Sequence, residues 1–378
     1  MKLIHLSDLH LGKRVNEFSM MEEQAYILKE ILRIIKKEEP DGVLIAGDIY
    51  DKSVPSVEAV GVFDDFLKQL ARQKLRVFII SGNHDSPERL AFGAELIEPS
   101  GINIAPAYNG TVKPVSLNDD YGPVNIYMLP FIKPVHVRGI FSEEHVESYT
   151  DAVRVAVSHM ELQESERNIL VTHQFVTGAF RSDSEDISVG GSDNVDVSVF
   201  EGFDYVALGH LHGPQNVGGD NVRYCGTPLK YSFSEANQCK SVTIVELEEK
   251  GSLKIRTEEL VPLHDMRELK GAYEELTNRH TYEGTKVDDY IRIVLTDEED
   301  VVDAIGKLRV IYPNLMKLEY DNRRTRENRQ VTGGEEEITR TPFEMIGDFY
   351  EKQNNQPMSQ KQTDLVRELI ESIWEENL

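Results

Sequence analysis

Five apolar runs in the first 212 residues each lead into a short polar motif, and this arrangement constrains the fold more than any other feature. The apolar runs are Leu3–Leu6, Val43–Ala46, Val77–Ile80, Ile169–Val171 and Val206–Leu208. The motifs that follow them are Asp8-Leu9-His10, Gly47-Asp48, Gly82-Asn83-His84-Asp85, Thr172-His173 and Gly209-His210-Leu211-His212. Residues placed just beyond strand ends converge at one edge of a sheet in α/β proteins. The sequence therefore predicts one site built from five distant segments.

These motifs are rich in the side chains that bind metal ions. Together they offer two Asp, one Asn and four His, with His84 and Asp85 left over. About seven ligands are too many for one ion and suit two ions roughly 3.5–4 Å apart, bridged by a carboxylate. Four imidazoles form a poor shell for Mg²⁺ and favour Mn²⁺, Fe²⁺ or Zn²⁺.

The segments around the motifs indicate an α/β architecture. Strands are predicted at Lys2–Leu6, Gly42–Ala46 and Leu75–Ile80, and helices at Phe18–Glu39 and Pro55–Arg72. This βαβαβ order is typical of a parallel sheet covered by helices. Farther along, one helix is predicted near Glu143–Glu161 and strands at Val124–Leu129, Asn168–Thr172, Tyr205–Leu208, Val222–Cys225, Ser241–Leu247 and Leu253–Glu258. Such a run of strands predicts a mixed sheet or two sheets packed face to face.

A change of pattern near Val261-Pro262-Leu263 predicts a second domain. Residues 265–320 are predicted to form helix, strand, helix, strand, at Met266–Asn278, Tyr290–Leu295, Glu299–Arg309 and Leu315–Tyr320. A polar stretch then predicts a linker or long loop, before two helices at Thr341–Lys352 and Ser359–Glu376. We therefore divide the chain into a metal-binding domain at 1–262, an α+β domain at 263–322, a linker at 323–340 and C-terminal helices at 341–378.

Charge and cysteine content limit the partners and the compartment. The 41 Lys and Arg residues against 66 Asp and Glu residues give a net charge of −25, which disfavours anionic membranes and nonspecific adhesion to nucleic acid over the whole surface. Bound metal ions can still make one cleft attractive to phosphates. No run reaches the roughly 18 apolar residues of a membrane span, and the N-terminus does not resemble a signal peptide. Together with Cys225 and Cys239, which have no CxxC spacing, this predicts a cytoplasmic protein with two reduced thiols.

The order of the motifs, DxH, GD, GNHD, TH and GHxH, resembles that of the calcineurin-like metallophosphoesterase superfamily. Four longer segments are similar to the bacterial SbcD nuclease family within it, namely Leu6–Gly12, Ala46–Asp51, Gly209–Gln215 and Tyr224–Glu235. The similarity is strong over about residues 1–260 and extends to the layout of the rest. It implies an α/β fold: a metallophosphoesterase-type mixed β-sandwich flanked by helices, with a small α+β cap domain and C-terminal helices.

The resemblance also assigns roles to the motif residues. It implies that one metal ion is held by Asp8, His10, Asp48 and His212, and a second by Asp48, Asn83, His173 and His210. Asp48 would bridge the two ions, which we expect to be Mn²⁺. His84 would contact the scissile phosphate or protonate the leaving group, and Asp85 would orient its ring. Two cations lower the pKa of bound water and offset phosphoryl charge, so water can attack a phosphodiester without a covalent enzyme intermediate.

Partners follow from the same resemblance. The apolar stripe from Leu365 to Trp374 is expected to bind the coiled-coil base of the ATPase SbcC, with packing against the chain's own domains as the alternative. The segment Glu88–Glu98 is predicted to be a helix that either pairs two copies, giving a homodimer within a heterotetramer, or packs as ordinary core. DNA contacts are undefined, because Arg323, Arg324, Arg326 and Arg329 fit a phosphate-binding cluster and a solvated loop equally well.

The resemblance thus implies that the chain is the DNA nuclease subunit of a complex with an SMC-like ATPase, nucleoid-associated when engaged. Its expected activities are ATP-dependent double-strand exonuclease and single-strand or hairpin endonuclease, in repair, recombination and replication. A phosphoesterase acting on a small nucleotide or cyclic nucleotide is the nearest alternative, and a scaffold without metals is the third. The remaining histidines are predicted to be surface or satisfied core residues: His5, His136, His145, His159, His264 and His280.

Overall fold

Nineteen strands and ten α-helices are described in the computed structural model, which covers residues 1–185, 193–323, 325–326, 343, 346–347, 349–350 and 357–376. The strands are β1 (Lys2–Leu6), β2 (Arg14–Val15), β3 (Phe18–Ser19), β4 (Gly42–Ala46), β5 (Arg76–Ile80), β6 (Ile102–Ile104), β7 (Val115–Asp119), β8 (Gly122–Leu129), β9 (Arg167–His173), β10 (Phe175–Val176), β11 (Asn194–Val195), β12 (Tyr205–Gly209), β13 (Gln215–Asn216), β14 (Val222–Tyr224), β15 (Ser241–Leu247), β16 (Leu253–Glu259), β17 (Met266–Gly271), β18 (Tyr290–Leu295) and β19 (Leu315–Tyr320). The helices are α1 (Met21–Glu38), α2 (Val57–Arg72), α3 (Pro87–Leu90), α4 (Ala94–Ile97), α5 (Pro134–Arg138), α6 (Tyr149–Ser158), α7 (Tyr273–Leu276), α8 (Arg279–Tyr282), α9 (Ala304–Arg309) and α10 (Gln360–Glu376).

Two six-stranded mixed sheets are built from strands between residues 2 and 259. The first has the order β16-β15-β1-β4-β5-β6, in which β1, β4, β5 and β6 are parallel and β15 runs antiparallel to both neighbours. The second has the order β13-β14-β12-β9-β8-β7, with four parallel strands between two antiparallel edge strands. Side chains of both sheets share one core, so of the two predicted alternatives, a mixed sheet or two sheets packed face to face, the second is confirmed.

The central strands are apolar on both faces because both faces are covered. In β4, Leu44 and Ala46 pack in the core between the two sheets, while Val43 and Ile45 point to the outer side, where α1 and α2 lie. Helix α1 buries Ile27, Leu28, Ile31 and Ile35 on the same side, which is the helical spacing expected of an amphipathic helix. Helix α6 covers the outer face of the second sheet in the same manner. This layering leaves the ends of the strands for function.

Helix α1 begins three residues later than predicted, because a tight hairpin precedes it. Strands β2 and β3 pair across Asn16 and Glu17, both of which have positive φ angles of 46° and 71°. Two consecutive left-handed residues are the geometry of a two-residue hairpin turn. Phe18 therefore belongs to a strand and not to the helix.

The segment predicted to be an α+β domain contains a three-stranded parallel sheet of order β17-β18-β19. The predicted helix Met266–Asn278 is wrong, since Met266–Gly271 is strand β17 and only Tyr273–Leu276 is helical. Met266 and Leu269 have helical spacing in a charged segment, but pairing of all six residues of β17 with β18 decides the conformation. The other three predicted elements of this domain are present, with the second helix shortened to Ala304–Arg309.

Two other predictions concern helices that lie outside the sandwich. The predicted helix Glu88–Glu98 is interrupted, because Gly93 adopts a φ of 74° between α3 and α4. Helix α10 agrees with the predicted C-terminal helix, whereas most of the predicted linker and of the helix Thr341–Lys352 lies outside the described residues. Among the helices of the described part of the chain, none is long and apolar enough to span a bilayer.

Candidate metal centre

The loops after β1, β4, β5, β9 and β12 meet at one end of the sandwich. Backbone hydrogen bonds join the first two loops: the N–H groups of Asp8, His10 and Leu11 donate to the carbonyls of Gly47 (3.0 Å), Asp48 (2.9 Å) and Ile49 (2.9 Å). The N–H of His210, from the second sheet, donates to the Asp8 carboxylate at 3.0 Å. Hydrogen bonds thus hold residues from both sheets together in one site.

Four of the predicted ligands have left-handed backbone conformations. The φ angles are 52° for Asp8, 44° for His10, 49° for Asp48 and 102° for His210. Such conformations cost about 1–3 kcal/mol each in non-glycine residues, and they persist where the surrounding structure imposes them. Strain concentrated on ligand residues is the pattern expected of a functional site.

Glycines let these segments approach one another closely. A Cβ atom on Gly82 would lie 2.1 Å from Asp48 Oδ1, and one on Gly209 would lie 1.8 Å from the Ala46 carbonyl oxygen. Both positions therefore require glycine for steric reasons. The approach at Gly209 brings the second sheet against the first directly beside the ligand loops.

The first set of donor atoms surrounds the position predicted for one ion. His10 Nε2 lies 3.2 Å from His212 Nε2 and 3.6 Å from Asp48 Oδ2. One donor atom each from Asp8, His10 and His212 lie within 4.8 Å of one another. Atoms bound to a common ion at about 2.1 Å lie about 3.0–3.5 Å apart, so these separations suit a metal ligand set.

The second set shares Asp48 with the first. Asn83 Oδ1 lies 3.0 Å from both His173 Nε2 and His210 Nδ1, and Asp48 Oδ2 lies 3.4 Å from His173 Nε2. The same Asp48 oxygen faces His10 and His173, which belong to the two different sets. The geometry brings all seven predicted ligands together, with Asp48 between the two positions.

The chemistry of these donors fits a cation. His173 Nδ1 lies 2.8 Å from the Ala46 carbonyl, which can only accept, so Nδ1 carries a proton. His173 Nε2 is then an acceptor, and it faces two further acceptors, the oxygens of Asn83 and Asp48. These three acceptor atoms would repel one another unless a proton or a metal ion lay between them. The buried His10 Nδ1 and His210 Nε2 have no hydrogen-bond partner among the described atoms. The residues present therefore fit bound divalent metal.

Burial and charge shift the pKa values of the site in a consistent way. Burial raises the pKa of Asp8 to about 6 and lowers the pKa values of His10 and His210 well below their ordinary range. Burial alone would also raise the pKa of Asp48, but the His173 and His84 rings outweigh it and hold that pKa well below its usual value. Conversely, Asp48 raises the pKa of His173 against the effect of burial. Neutral His10 and His210 offer free lone pairs, which metal binding requires.

His84 lies at the open side of the site. Its Nε2 is 4.0 Å from Asp48 Oδ2, its backbone N–H donates to Asp48 Oδ1 (3.0 Å), and its side chain is 14% exposed. Its ring Nδ1 lies 3.1 Å from the Asp51 carbonyl oxygen. A proton on Nδ1 satisfies that carbonyl and leaves the Nε2 lone pair on the side of Asp48.

The Asp85 carboxylate is held by the backbone of two ligand loops. Its carboxylate accepts hydrogen bonds from the backbone N–H groups of Gly82 (3.0 Å), Ile49 (3.1 Å) and Tyr50 (2.9 Å). Burial, with Asp48 nearby, raises its pKa to about 6. These hydrogen bonds from Asp85 therefore connect the Asp48 loop with the Asn83 loop. The His84 ring itself contacts the Asp51 carbonyl.

A buried polar network behind His212 was missed by sequence reasoning. Ser184 Oγ lies 2.6 Å from His212 Nδ1 and donates to Glu235, whose other oxygen accepts from Lys240 Nζ at 2.5 Å. The N–H of His212 donates to Glu185 Oε1 at 2.6 Å. Such outer contacts fix the tautomer and orientation of a ligating histidine. Glu235 ends the segment Tyr224–Glu235, which marked the family resemblance without indicating a role.

Two further side chains support the backbone of the Asp8–His10 loop. Gln24 Nε2 donates to the His10 carbonyl at 2.7 Å, and the Tyr231 hydroxyl donates to the Leu9 carbonyl at 2.6 Å. Gln24 lies on the buried face of α1. A polar residue within an apolar helical stripe is the sequence signal that could have identified it.

The residues predicted to be inert agree with their expected environments. Four of the six remaining histidines are exposed, while His5 Nδ1 lies 2.8 Å from the Tyr205 hydroxyl and His264 Nδ1 lies 2.6 Å from Glu23. Cys225 is buried and Cys239 is exposed, and both are free thiols. In the arginine cluster, Arg326 Nε donates to Asp321 at 2.8 Å, whereas Arg324 and Arg329 lie outside the described residues.

The chain is similar in sequence to known proteins over nearly its whole length. Residues 1–214 match the calcineurin-like phosphoesterase family, and residues 262–354 match the family described as type 5 capsule protein repressor C-terminal domain. The SbcD subunit of the SbcCD nuclease of Staphylococcus epidermidis is 32% identical over 380 residues, which cover 99% of each chain.

Two solved structures are also similar. A protein of Thermus thermophilus has 13% identity and a TM-score of 0.40, covering 68% of this chain and 98% of that one. A dimetal phosphatase from Danio rerio has 12% identity and a TM-score of 0.40, covering 69% of this chain and 96% of that one. On the full-length identity and the two family matches, the chain belongs to the SbcD nuclease subunits, within the calcineurin-like metallophosphoesterases.

Proposed function

We propose that this nuclease subunit hydrolyses DNA phosphodiesters with two Mn²⁺ ions, in a complex with an SbcC-like coiled-coil ATPase. One observation carries the proposal: seven donor atoms from five loops surround two adjacent positions, and a single Asp48 oxygen faces both. The mixed set of carboxylate, amide and imidazole donors favours Mn²⁺ over Mg²⁺. Asp8, His10, Asp48 and His212 would hold one ion, and Asp48, Asn83, His173 and His210 the other.

Bound as a pair, such ions supply charge neutralisation of the phosphoryl oxygens and a bound water of lowered pKa. The chain's own contribution to proton transfer is His84, whose Nε2 would protonate the leaving oxygen while Nδ1 meets the Asp51 carbonyl. Asp85 is a positioning residue, because its three backbone hydrogen bonds set the distance between the Asp48 and Asn83 loops.

An exposed apolar surface near the ligand loops supports a homodimer. On α3–α4, Leu90, Ala91, Ala94 and Ile97 pack toward the core, whereas Phe92 and Leu96 are 88% and 86% exposed. Val54, just before α2, and Val57 and Val60, in its first turn, are also exposed, and Arg89 donates to the nearby Ser53 carbonyl (3.5 Å). Covering these side chains in a second copy removes apolar surface from water. The dimer would form the centre of a heterotetramer with two ATPase subunits.

The remaining segments complete the complex. The domain at 263–322 would cap the DNA path, and the chain from 323 to 340 would link it to the helices at 341–378. In α10, Leu365 and Leu369 are 54% and 48% exposed, and the spacing of the stripe suits docking on a coiled coil. Arg323 and Arg326 remain candidate phosphate contacts, together with Arg324 and Arg329. Action on DNA would place the protein in the bacterial cytoplasm, associated with the nucleoid when engaged.

Co-purification with a large coiled-coil ATPase, followed by a cleavage assay, tests this function. The complex should cut a hairpin oligonucleotide when Mn²⁺ and ATP are present, and the matched His84→Gln complex should bind Mn²⁺ without cutting. Hydrolysis of bis-p-nitrophenyl phosphate without any cleavage of DNA would favour the small-molecule phosphoesterase instead. Purified protein without bound metal and without either activity would favour a scaffold.

A further inference from the structure

Phe180 is an apolar side chain held in solvent by a fixed backbone. Its side chain is 84% exposed. The carboxamide of Gln215 makes two hydrogen bonds with the Phe180 backbone. The Phe180 N–H donates to Gln215 Oε1, and Gln215 Nε2 donates to the Phe180 carbonyl, each at 2.8 Å. The backbone that carries the ring is thus held by hydrogen bonds, while packing within the fold does not explain why the ring is exposed.

The position of Phe180 is tied to the metal ligands of the second sheet. Gln215 begins strand β13, three residues after His212. The neighbouring Arg181 stacks its guanidinium 3.6 Å over the Phe175 ring, which in turn lies 6.4 Å from the His210 ring. Arg181 also donates to the buried Asp193 at 2.7 Å. Phe180 is therefore the sequence neighbour of a side chain that stacks beside the His210 ring, at the edge of the metal centre.

From this geometry we infer that Phe180 stacks on the base of a nucleotide adjacent to the scissile phosphate, with Gln215 and Arg181 as positioning residues. The inference rests on the proposed DNA nuclease function and adds a substrate contact to it. A phosphate held between the metal ligands brings its neighbouring bases to the rim, and every base offers an aromatic face. The chain carries a net charge of −25, so its overall charge does not attract DNA. A stacking contact with a base would contribute binding free energy that does not depend on this charge.

A single exposed ring selects a particular kind of nucleotide. Bases inside a duplex are stacked on both sides, whereas an unpaired, terminal or hairpin-loop base has a face available at little cost. Phe180 should therefore favour single-stranded segments, ends and hairpins over uninterrupted duplex. A small phosphodiester without a base would gain nothing comparable from the ring.

The test compares Phe180→Ala, Phe180→Leu and Phe180→Trp in the full-length chain with its ATPase partner. The control is Tyr121→Ala, which removes a half-exposed aromatic ring from the β7–β8 hairpin at the opposite end of the second sheet. On a hairpin oligonucleotide, Ala and Leu should raise KM at least about fivefold, while Trp and the control keep the wild-type value. Bound Mn²⁺ and kcat on bis-p-nitrophenyl phosphate should remain unchanged in all four variants.

Abasic nucleotides identify the partner of the ring directly. In the wild type, one abasic position beside the cleavage site should raise KM, and in Phe180→Ala the same lesion should add nothing. Equal abasic penalties in both proteins, or a Leu variant as good as Trp, would overturn the stacking role. Failure of the wild type to cut any DNA, with bis-p-nitrophenyl phosphate still hydrolysed, would instead refute the nuclease function and the stacking contact with it.

Discussion

Glu235→Gln is expected to weaken metal binding from a position that touches no metal. Glu235 is fully buried, accepts hydrogen bonds from Lys240 and Ser184, and lies 3.5 Å from His212 Nδ1. Glutamine has the same size as the Glu235 side chain and keeps one acceptor oxygen, but it lacks the negative charge. His212 would lose the carboxylate that fixes its tautomer through Ser184, and loss of such a contact typically costs 10–100-fold in metal affinity.

The stability of the fold should fall in the same variant. Burial alone would raise the pKa of Glu235, but His212 and Lys240 outweigh it and lower the pKa from 4.5 to about 2. At about 1.4 kcal/mol per pKa unit, the folded state favours the ionised carboxyl by about 3 kcal/mol. Since the folded-state pKa is depressed, this contribution is present above about pH 4.5 and is lost as the pH falls through about 2.

A second substitution separates the two effects. Adding Lys240→Met removes the cation left unpaired by Glu235→Gln, and replacing a buried ion pair by apolar groups is often neutral for stability. The double variant should regain most of the free energy of unfolding in urea at pH 7 while its Mn²⁺ affinity, measured by calorimetry, stays low. If the affinity recovered together with the stability, the carboxylate would have no specific effect on His212. A single variant with wild-type affinity would refute the reasoning altogether.

His84, Gly82 and Phe92 each offer a substitution with a distinct expected effect. His84→Gln should keep both Mn²⁺ ions, measured by metal analysis, and lose at least about 100-fold in turnover; wild-type turnover would remove His84 from the mechanism. Gly82→Ala places a Cβ 2.1 Å from Asp48 Oδ1, so the purified protein should contain less than one metal ion per chain, and a full complement would contradict the steric argument. Phe92→Asp should convert a dimer into a monomer in analytical ultracentrifugation without changing bis-p-nitrophenyl phosphate hydrolysis, whereas an unchanged mass would exclude this surface as the interface.

The sequence predicted the sandwich and the convergence of the site because both depend on local, repeated signals. Each apolar run is short, buried on both faces and followed by a ligand motif, so strand and site are marked together at β1, β4, β5, β9 and β12. The boundaries of these strands agree with the prediction to within one residue. The pairing of two such sheets face to face follows from the same apolar pattern on both faces.

Features that depend on contacts between residues far apart in the sequence could not be predicted from local patterns. The segment Met266–Gly271 has helix-forming residues, and only its pairing with β18, some twenty residues later, makes it a strand. The network of Ser184, Glu235 and Lys240 joins positions up to 56 residues apart and has no periodic signature. The contact between His84 and the Asp51 carbonyl likewise depends on how two loops close, and not on the GNHD motif itself.

The strain on the ligand loops is sustained by a rigid connection at the other end of the sandwich. There the buried Arg167, at the start of β9, donates to Asp119 (3.0 Å) and the Gly122 carbonyl (2.7 Å) of the second sheet. It also donates to the Leu247 (3.3 Å) and Glu248 (2.8 Å) carbonyls at the end of β15 in the first sheet. Strand β9 then runs about 20 Å to His173 in the metal centre. With the sheets joined at both ends, one sheet cannot slide over the other to relax the left-handed ligand residues without breaking these hydrogen bonds.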